Sequence, residues 1–550
     1  MPSDLRQTSA FELDSPPESS YRPKGITRLT VHIPTAYSAQ VKAETHPAPR
    51  WRTPEFMVYY VVFACVLPIM FWIPYRLSSP SQPNYPYYEG ALSPGWLFGR
   101  RVDNSDSQYR SFRNGLLPLT LLAAVFFGLK QLYALVIRKP SPISSASNLH
   151  RVPFLVVFST AMLFGLHGAS TLKVFAILTA NYAIAKACKG SKAGPVLTWV
   201  FNGLVLYAND RNSGHKFEQL HPLFAFLDVW QGMYPRWYIS FNITMLRLVS
   251  FNMDFYWACR GVGLPETSLS DKHRPRVNHS LDTYSYLNYI AYALYPPLYI
   301  AGPIMTFNDF MWQLRIPLTI TWRTVINYLT RFSVCIMTLE MILHFMYVVA
   351  IKDRKAWVGY SAAELSMIGL WNLIIVWLKN MVRCMANNYS PLGFWRAWHR
   401  SYNLWIVRYI YIPLGGTRNL VYTTVLVFTF VALWHDLSFR LLAWGWLVSL
   451  FILPEVAARH FVPASKYGER PWFRHVGAVG AVLNGLMMMT ANLVGFVIGT
   501  DGMKYMIEQL MGSWQGIQFL LVACACIFVA IQVMFEYREE EARQGIARRC

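Results

Sequence analysis

The sequence predicts an all-α protein that crosses a membrane many times. Of its 550 residues, 54% are hydrophobic and only 14% are charged, which is a low charge content for a soluble chain. The aromatic fraction of 16% is typical of the belts of Trp and Tyr that form where hydrocarbon meets lipid headgroups. Several apolar runs are also too long for ordinary core helices. We therefore expect lipid to surround most of the chain, in roughly eleven or twelve membrane helices with additional re-entrant or interfacial helices.

The formal net charge of +21 does not indicate nucleic-acid binding. Lys and Arg are scattered at the edges of the apolar runs, and no compact basic domain contains them. Anionic membrane lipids, and an anionic cosubstrate such as coenzyme A, are the expected partners of this charge. The 8 cysteines lie mostly inside apolar stretches, without the spacing of a zinc site or a disulfide framework. We therefore interpret them as small buried apolar residues and predict no metal.

The apolar runs divide the chain into three parts. Residues 1–54 lack the apolar core of a cleaved signal and are predicted to form a mostly disordered tail. Residues 55–537 form the multi-span core, and residues 538–550 form a short polar C-terminal tail. The predicted membrane runs are 56–75, 116–137, 154–187, 195–208, 237–259, 286–305, 322–351, 362–382, 419–434, 439–457, 476–499 and 515–535. The longest runs are expected to hold two shorter helices each.

Residues 387–416 differ from the other membrane runs because they combine many aromatic residues with charge. The segment carries Arg396, His399, Arg400 and Arg408, which a continuous lipid-facing span would not tolerate. We expect it to lie at the membrane interface or to re-enter against other helices. A single amphipathic helix here would place Trp395, Trp398, Tyr402 and Trp405 on one face and Arg396, Arg400 and Asn403 on another.

His435 is the first candidate for chemistry, because it ends the apolar run that begins near Leu420. A neutral, buried imidazole can accept the proton of a hydroxyl as that oxygen attacks a carbonyl carbon. A histidine that merely caps a helix end explains the pattern equally well. Asp436 would point about 100° away on a continuing helix, so we expect it to end the span or face an interfacial group. For His399, spacing alone favours an aromatic-belt residue over one that polarises a substrate.

Two other polar pairs lie inside apolar runs. Glu340 and His344 are four residues apart and share a helical face, but two ligands without a third favour a hydrogen bond over a metal site. Arg247 and Asp254 are seven apart on one face. They are expected to bridge to neighbouring helices or to each other through a third group, with a place in a substrate tunnel as the alternative.

Four motifs in combination resemble the signature of the membrane-bound O-acyltransferase family. They are FWRAWHRS at 394–401, RYIYIPLGG at 408–416, LWH at 433–435 and the earlier Gly-Pro motif YPPLYIAGPI at 295–304. The resemblance extends over most of the chain from about residue 55. Within the family, the pattern looks closest to the fungal glycerol-uptake-protein branch, which is related to hedgehog acyltransferase.

The resemblance implies a multi-pass enzyme of the endoplasmic reticulum that remodels glycosylphosphatidylinositol (GPI) anchors. Such an enzyme transfers a long or very long acyl chain from acyl-CoA, its cosubstrate, to a free hydroxyl of a lyso-GPI lipid, and the resemblance implies no further cofactor. His435 matches the catalytic histidine of the family, and His399 matches its second polar site. The other motif residues expected to bind substrate are Trp434, Asn403, Arg396, Arg400, Arg408 and Trp398.

Three alternatives remain open from the sequence. The historical name of the branch and the many spans suggest a glycerol or polyol transporter, although we find no two halves with matching helix interruptions. An acyltransferase acting on a protein, a polysaccharide or a lysophospholipid would share the same histidine motifs. A non-enzymatic binding scaffold is the third alternative, and the presence of His435 argues against it.

Overall fold

The computed structural model describes residues 47–137, 149–264, 274–300, 302–316, 320–377 and 387–544, and these are almost entirely helical. The helices of the first half are α1 Pro54–Leu77, α2 Tyr85–Tyr88, α3 Ser107–Val136, α4 Val152–His167, α5 Thr171–Cys188, α6 Ala193–Arg211, α7 Trp237–Cys259, α8 Tyr286–Ala293, α9 Pro296–Ile300 and α10 Phe307–Arg315. The helices of the second half are α11 Trp322–Phe345, α12 Val348–Asp353, α13 Ala362–Trp377, α14 Pro391–Ala397, α15 Arg400–Ile406, α16 Leu420–His435, α17 Phe439–Phe461, α18 Ala464–Tyr467, α19 Pro471–Asn492, α20 Gly499–Met511 and α21 Trp514–Arg543.

Short elements connect these helices. Single 3₁₀ turns lie at Glu89–Ala91, Leu149–Arg151, Gly168–Ser170, Arg274–Arg276, Leu281–Thr283 and Gly416–Asn419, and a longer 3₁₀ helix lies at Pro222–Val229. Turns of π-helix lie at Val407–Tyr411 and Leu493–Val497. An antiparallel hairpin pairs β1 Leu92–Pro94 with β2 Arg101–Asp103. The Asp103 carboxylate accepts the backbone N–H groups of Val349 and Ala350, both at 2.9 Å, so the hairpin caps the first turn of α12.

The predicted all-α, multi-pass fold is confirmed. Seven segments of the described chain are long and apolar enough to cross a membrane: Pro54–Leu77, Ser107–Val136, Leu149–Cys188, Trp322–Phe345, Phe439–Phe461, Pro471–Val497 and Trp514–Arg543. Shorter apolar helices lie at Ala362–Ile375 and Leu420–His435. Leu149–Cys188 contains both α4 and α5, as expected of the longest run, and the helix breaks at Gly168 with φ +56°.

The predicted run 286–305 is wrong as a single span. Helix α8 ends at Ala293, and the short helix α9 begins with Pro296 and Pro297. Proline has no N–H to donate and disfavours a helical conformation of the residue before it, so this pair suits the first turn of a new helix, where no N–H is needed. The prediction of buried cysteines is also wrong, because none of the six described cysteines is fully buried: Cys65 on α1 and Cys335 on α11 are exposed, and the other four are half-buried.

Helix α7 lies at the centre of the largest core. Every residue from 244 to 255 is buried, and α7 packs against α5, α6, α8 and α10. Arg247 donates to the carbonyls of Ala293 and Leu298 at 2.9 and 2.6 Å, and Asp254 accepts from Arg408 at 2.8 Å. Both residues therefore bridge α7 to neighbouring segments, which confirms that interpretation of the pair.

The Glu340 carboxylate is satisfied by three donors on other segments. It accepts hydrogen bonds from Trp96, Tyr109 and Arg113 at 2.9, 2.8 and 3.5 Å. His344 bonds through Nδ1 to the backbone carbonyl of Glu340 at 2.7 Å. The hydrogen bond predicted for this pair is therefore present, but it uses the main chain of Glu340 and leaves the carboxylate to donors on the β1–β2 hairpin and α3.

Helix α21 continues six residues into the segment that was predicted to be a polar tail, ending at Arg543. The buried Glu536 carboxylate explains this extension, because it pairs with both Arg474 and Arg543 and accepts the backbone N–H of Arg50 at 3.0 Å. Opposite charges around a buried carboxylate hold the last turns of α21 against α19. The predicted N-terminal tail lies mostly outside the described residues.

Candidate active site

His435 is the last residue of α16. Asp436 adopts an extended conformation with φ −170° and ψ 141°, so the helix ends there, as expected. The imidazole packs against Trp434, with ring centroids 4.9 Å apart, and lies 6.5 Å from the ring of Phe496. The side chain of His435 is exposed at the surface of the described protein, where α16 ends.

Trp434 fixes the end of α16 to α7. Its indole Nε1 donates to the carbonyl of Asn242 at 2.9 Å, and the Asn242 side-chain amide donates to the Trp434 carbonyl at 3.5 Å. The indole also packs against Tyr402 of α15 in a tilted arrangement, with ring centroids 4.8 Å apart. Trp434 is therefore anchored on two sides immediately before His435, which limits the orientations available to the imidazole.

His399 lies at a sharp corner between α14 and α15. Its backbone is left-handed, with φ 43° and ψ 52°, and Trp398 before it is extended. The prediction of one continuous helix is wrong at this point, because a left-handed residue cannot belong to a right-handed helix. Left-handed residues other than glycine are uncommon and tend to cluster at functional sites. The His399 side chain is exposed, and its ring lies 4.6 Å from that of Trp398.

The aromatic face and the polar face predicted for residues 395–405 are both present, although the helix is interrupted at His399. Trp395, Tyr402 and Trp405 are buried, and Trp398 is half-buried. The polar residues lie outside them: Arg396 is exposed, whereas Arg400 and Asn403 are half-buried. Trp405 donates to the carbonyl of Leu246 at 2.9 Å, so the segment packs against α7, as a re-entrant element should.

Helix α17 positions the start of α14. The Ser390 hydroxyl accepts the N–H of Gly393 at 3.0 Å and thereby caps α14. The same hydroxyl donates to the carboxylate of Glu455 at 2.5 Å, and the Leu392 N–H donates to that carboxylate at 3.3 Å. A buried carboxylate on α17 therefore sets where α14 begins, and so where the corner at His399 falls.

A continuous series of aromatic contacts links the two histidines. Trp398 contacts Trp395 at 5.2 Å, Trp395 contacts Trp444 at 5.5 Å, and Trp444 contacts Phe496 at 5.1 Å between ring centroids. Trp398 adjoins His399, and Phe496 lies beside His435. His399 and His435 therefore border the same aromatic wall, although 36 positions separate them in the sequence.

The sequence did not reveal the part of this wall that α17 and α19 contribute. Trp444 donates to the Asn492 side chain at 3.1 Å, and Phe496 lies in the π turn Leu493–Val497. A Cβ added at Gly495 would lie 2.8 Å from the Trp444 ring, so only glycine fits. Asn492 and Gly495 inside an apolar run were the available signals, and π turns often mark functional sites.

Arg408 is held in an ion pair within the protein. Its guanidinium lies 2.8 Å from the Asp254 carboxylate, which also accepts the Tyr409 hydroxyl at 2.9 Å. The guanidinium also stacks 4.7 Å above the ring of Trp257. These contacts satisfy its charge within the fold and tie the π turn Val407–Tyr411 to α7. Direct substrate binding by Arg408 stays a prediction.

The arrangement suits proton transfer by a histidine without a metal ligand set. Among the residues that the structure describes, no three His, Cys, Asp or Glu side chains are grouped so as to hold a metal ion. The His435 imidazole can accept a proton from a hydroxyl brought against its open face. The aromatic wall beside it suits an apolar chain, and the cations near His399 suit an anionic group.

Fold and site together define a polytopic, helical membrane protein with an exposed histidine at a helix end, bordered by aromatic rings. The sequence model of the membrane-bound O-acyltransferase family matches residues 214–381 and 379–500, which include both histidines. The chain belongs to the membrane-bound O-acyltransferase family.

Comparison with individual proteins supports the same assignment. The chain is 41% identical to the membrane-bound O-acyltransferase GUP1 of Saccharomyces cerevisiae over 91% of this chain and 94% of that protein. It is 38% identical to the protein of the same name from Schizosaccharomyces pombe, over 100% of this chain and 99% of that protein. A more distant similarity, 24% identity over 41% of this chain and 51% of the other, is to the mouse protein-cysteine N-palmitoyltransferase HHAT. The family and these names support O-acyltransferase activity.

Proposed function

We propose that this protein transfers a long or very long acyl chain from acyl-CoA to a free hydroxyl of a lyso-GPI lipid in the endoplasmic reticulum membrane. The observation that carries the proposal is the placement of His435, which is open at the end of α16 and borders the same aromatic wall as His399. A base intended for a substrate hydroxyl must be reachable by that hydroxyl, and a helix-end imidazole with an exposed face meets this requirement.

In the proposed reaction, His435 takes the proton of the acceptor hydroxyl as its oxygen attacks the thioester carbonyl carbon of acyl-CoA. A C–O bond forms, and the C–S bond of the resulting tetrahedral intermediate breaks. The proton then passes from the imidazolium to the departing thiolate, so that an ester and free coenzyme A are formed and His435 is neutral again. His399 would position a reactant or stabilise the negative charge that develops on the carbonyl oxygen.

The basic residues near His399 support an anionic cosubstrate. Arg396 is exposed, and Arg400, which begins α15 next to His399, is half-buried. Guanidinium groups bind phosphates through paired N–H donors, so these two side chains suit the phosphates of acyl-CoA. Asn403 and Trp398 flank the same corner and are the proposed contacts for the acyl thioester. Arg408 would act indirectly, since Asp254 already holds its guanidinium.

A polyol transporter is the main alternative, and it would need a polar site near the middle of the membrane. The candidate for such a site is a buried amide cluster on α5, α6 and α7. Asn202 donates to Asn181 at 2.9 Å, Asn181 donates to Asn252 at 3.0 Å, and Asn252 donates to Thr198 at 3.0 Å. Side chains that bond mainly to one another hold helices together and offer little to a polyol.

The identity of the acceptor separates the remaining alternatives. The family site itself is compatible with other acceptors, since the mouse relative is named for transfer to a protein cysteine. We would incubate purified protein in nanodiscs with labelled very-long-chain acyl-CoA and, in parallel, lyso-GPI lipid, a lysophospholipid or a peptide. We expect labelled product and release of free coenzyme A with lyso-GPI lipid. Product with another acceptor alone would contradict the lyso-GPI proposal, and uptake of labelled glycerol by sealed proteoliposomes without acyl-CoA would support transport instead.

A further inference from the structure

The segment between α6 and α7 exposes an unusual number of large apolar side chains. It contains the 3₁₀ helix Pro222–Val229, and we call residues 220–234 the apolar platform. The exposed fractions of its large apolar residues lie between 47% and 78%. These residues are Leu220, Leu223, Phe224, Phe226, Val229, Trp230, Met233 and Tyr234. Contiguous exposed apolar surface of this kind marks a place where something other than water covers the protein.

Backbone hydrogen bonds fix the platform to the turn between α4 and α5. The bonds run from Ala169 N to the Trp230 carbonyl at 2.9 Å, from Met233 N to the Gly165 carbonyl at 3.0 Å, and from Tyr234 N to the Leu166 carbonyl at 2.6 Å. The Asp228 carboxylate accepts the N–H groups of Phe217 and Glu218, both at 2.9 Å. The platform is therefore an ordered surface, held at both ends.

The backbone of the platform contacts the backbone of the α4–α5 turn so closely that no side chain fits at Gly168 or Gly232. A Cβ added at Gly168 would lie 2.1 Å from the carbonyl oxygen of Trp230, and one added at Gly232 would lie 2.3 Å from the backbone of Leu166. His167 adds a side-chain contact, since its Nδ1 is hydrogen-bonded to the Tyr234 carbonyl at 2.6 Å. Close backbone packing of this kind fixes the position of the platform relative to α4 and α5.

The apolar surface of the neighbouring helices continues into the platform. Phe164 in the last turn of α4, Tyr207 near the end of α6 and Ile239 in the first turn of α7 are all exposed. Helix α4 belongs to Leu149–Cys188, one of the seven described segments that are long and apolar enough to cross a membrane, so its exposed surface suits contact with lipid. Trp230 and Tyr234 combine an apolar ring with a polar group, which suits the boundary between hydrocarbon and headgroups. Lipid is therefore the occupant that fits the platform best.

The platform and His435 lie at the same end of α7. Helix α7 begins at Trp237, three residues after the platform, and Asn242 five residues further on bonds to Trp434 beside His435. At 1.5 Å per helical residue, this connection spans only about 8 Å along the helix axis. The depth of the platform in the bilayer therefore determines the depth of His435.

We propose that the apolar platform lies at the headgroup–hydrocarbon boundary of one leaflet and sets the depth at which the hydroxyl of a lipid acceptor meets His435. The inference rests on the proposed function only for the identity of that hydroxyl. The position of the platform in the membrane is a separate physical claim, and it can be measured without any acyl transfer.

Spin labels test the position of the platform directly. Labels at Leu223→Cys, Phe226→Cys and Val229→Cys would be placed in nanodisc-bound protein whose 8 native cysteines are replaced and whose unfolding temperature is unchanged. We expect high accessibility to oxygen and low accessibility to a water-soluble nickel chelate, as for a label at Val61→Cys on the exposed surface of the membrane-length helix α1. The nickel-accessible behaviour expected at Glu469→Cys, in an exposed loop, would overturn the proposal. Low accessibility to both reagents would also overturn it, because that result means protein covers the platform.

A triple variant tests the consequence for catalysis. Leu223→Ser, Phe226→Ser and Val229→Ser together should raise the KM for the lipid acceptor about fivefold or more, since apolar area drives interfacial insertion. The kcat at saturating acceptor should stay within about twofold, because His435 is untouched. The matched control is Val358→Ser, which removes an equally exposed apolar side chain elsewhere and should change neither constant. An unchanged KM in the triple variant would overturn the depth-setting role, whereas absence of transfer by the wild type would overturn the proposed function alone.

Discussion

The ring of Tyr402 packs against the indole of Trp434 in a tilted arrangement, with ring centroids 4.8 Å apart, and thereby joins α15, which begins next to His399, to the end of α16 at His435. Trp434 is in turn bonded to Asn242 on the central helix α7. The motifs at 394–401 and 433–435 are thus joined through an aromatic pair to which neither histidine contributes. The geometry of the site depends on this contact as much as on the histidines.

The first prediction distinguishes the contribution of the Tyr402 ring to stability and transfer from that of its hydroxyl. That hydroxyl is buried and has no hydrogen-bond partner among the described residues, so Tyr402→Phe should leave the unfolding temperature and acyl transfer close to wild type. Tyr402→Ala removes the ring and should cost about 3–5 kcal/mol of stability, with a matching loss of transfer. Thermal unfolding in detergent and transfer assays check both variants. Wild-type behaviour of Tyr402→Ala would show that the contact does not support the site.

The second prediction concerns the close packing behind His435. Gly495→Ala would push a methyl group into the Trp444 ring, and such overpacking should cost about 1–3 kcal/mol and displace Phe496 from the histidine. The matched control is Gly485→Ala on α19, where an added methyl group has no neighbour within 4 Å. Alanine favours a helix over glycine, so the control should be neutral or slightly stabilising. Equal unfolding temperatures and activities for the two variants would contradict the packing argument.

The third prediction asks whether Arg408 is structural. Arg408→Gln leaves the buried Asp254 carboxylate without its cation and should cost about 3–5 kcal/mol. Adding Asp254→Asn should recover part of that loss, with a coupling energy of about 0.5–3 kcal/mol measured by a double-mutant cycle. If Arg408 mainly bound substrate, both single variants would keep wild-type stability, and only Arg408→Gln would raise the KM for acyl-CoA.

Much of the fold could be predicted from the sequence because membrane spans follow from long apolar runs. The run 237–259 coincides with α7, and the run 154–187 contains two helices as expected. The run 286–305 failed because hydropathy does not register the break at Pro296 and Pro297.

The site was predicted only in part. His435 stood out as an ionisable residue at the end of an apolar run, whereas His399 and Trp434 were named through the family resemblance. The structure places all three on connected aromatic surfaces. The break between α14 and α15 at His399 was not predicted, since the side-chain chemistry of histidine does not indicate a left-handed backbone. Phe496 was missed because its role comes from long-range packing, which spacing along one helix cannot reveal.

The exposure of His435 also revises the expected chemistry. Burial at membrane depth is the predicted cause of a neutral imidazole, and the protein itself leaves the side chain exposed. An exposed base can meet its substrate without a large rearrangement of α16. Bound acyl chain, acceptor and surrounding lipid would then provide the low-dielectric surroundings that strengthen proton transfer and charge stabilisation.

The most direct test of the account compares two histidines that end apolar helices. Acyl transfer from labelled acyl-CoA would be measured for purified wild type, for His435→Ala and for His460→Ala, which alters an exposed histidine in the last turn of α17. We expect His435→Ala to lose about 10²-fold or more of the wild-type rate with an unchanged unfolding temperature, and His460→Ala to retain it. Wild-type turnover by folded His435→Ala protein would contradict the assignment of His435 as the base.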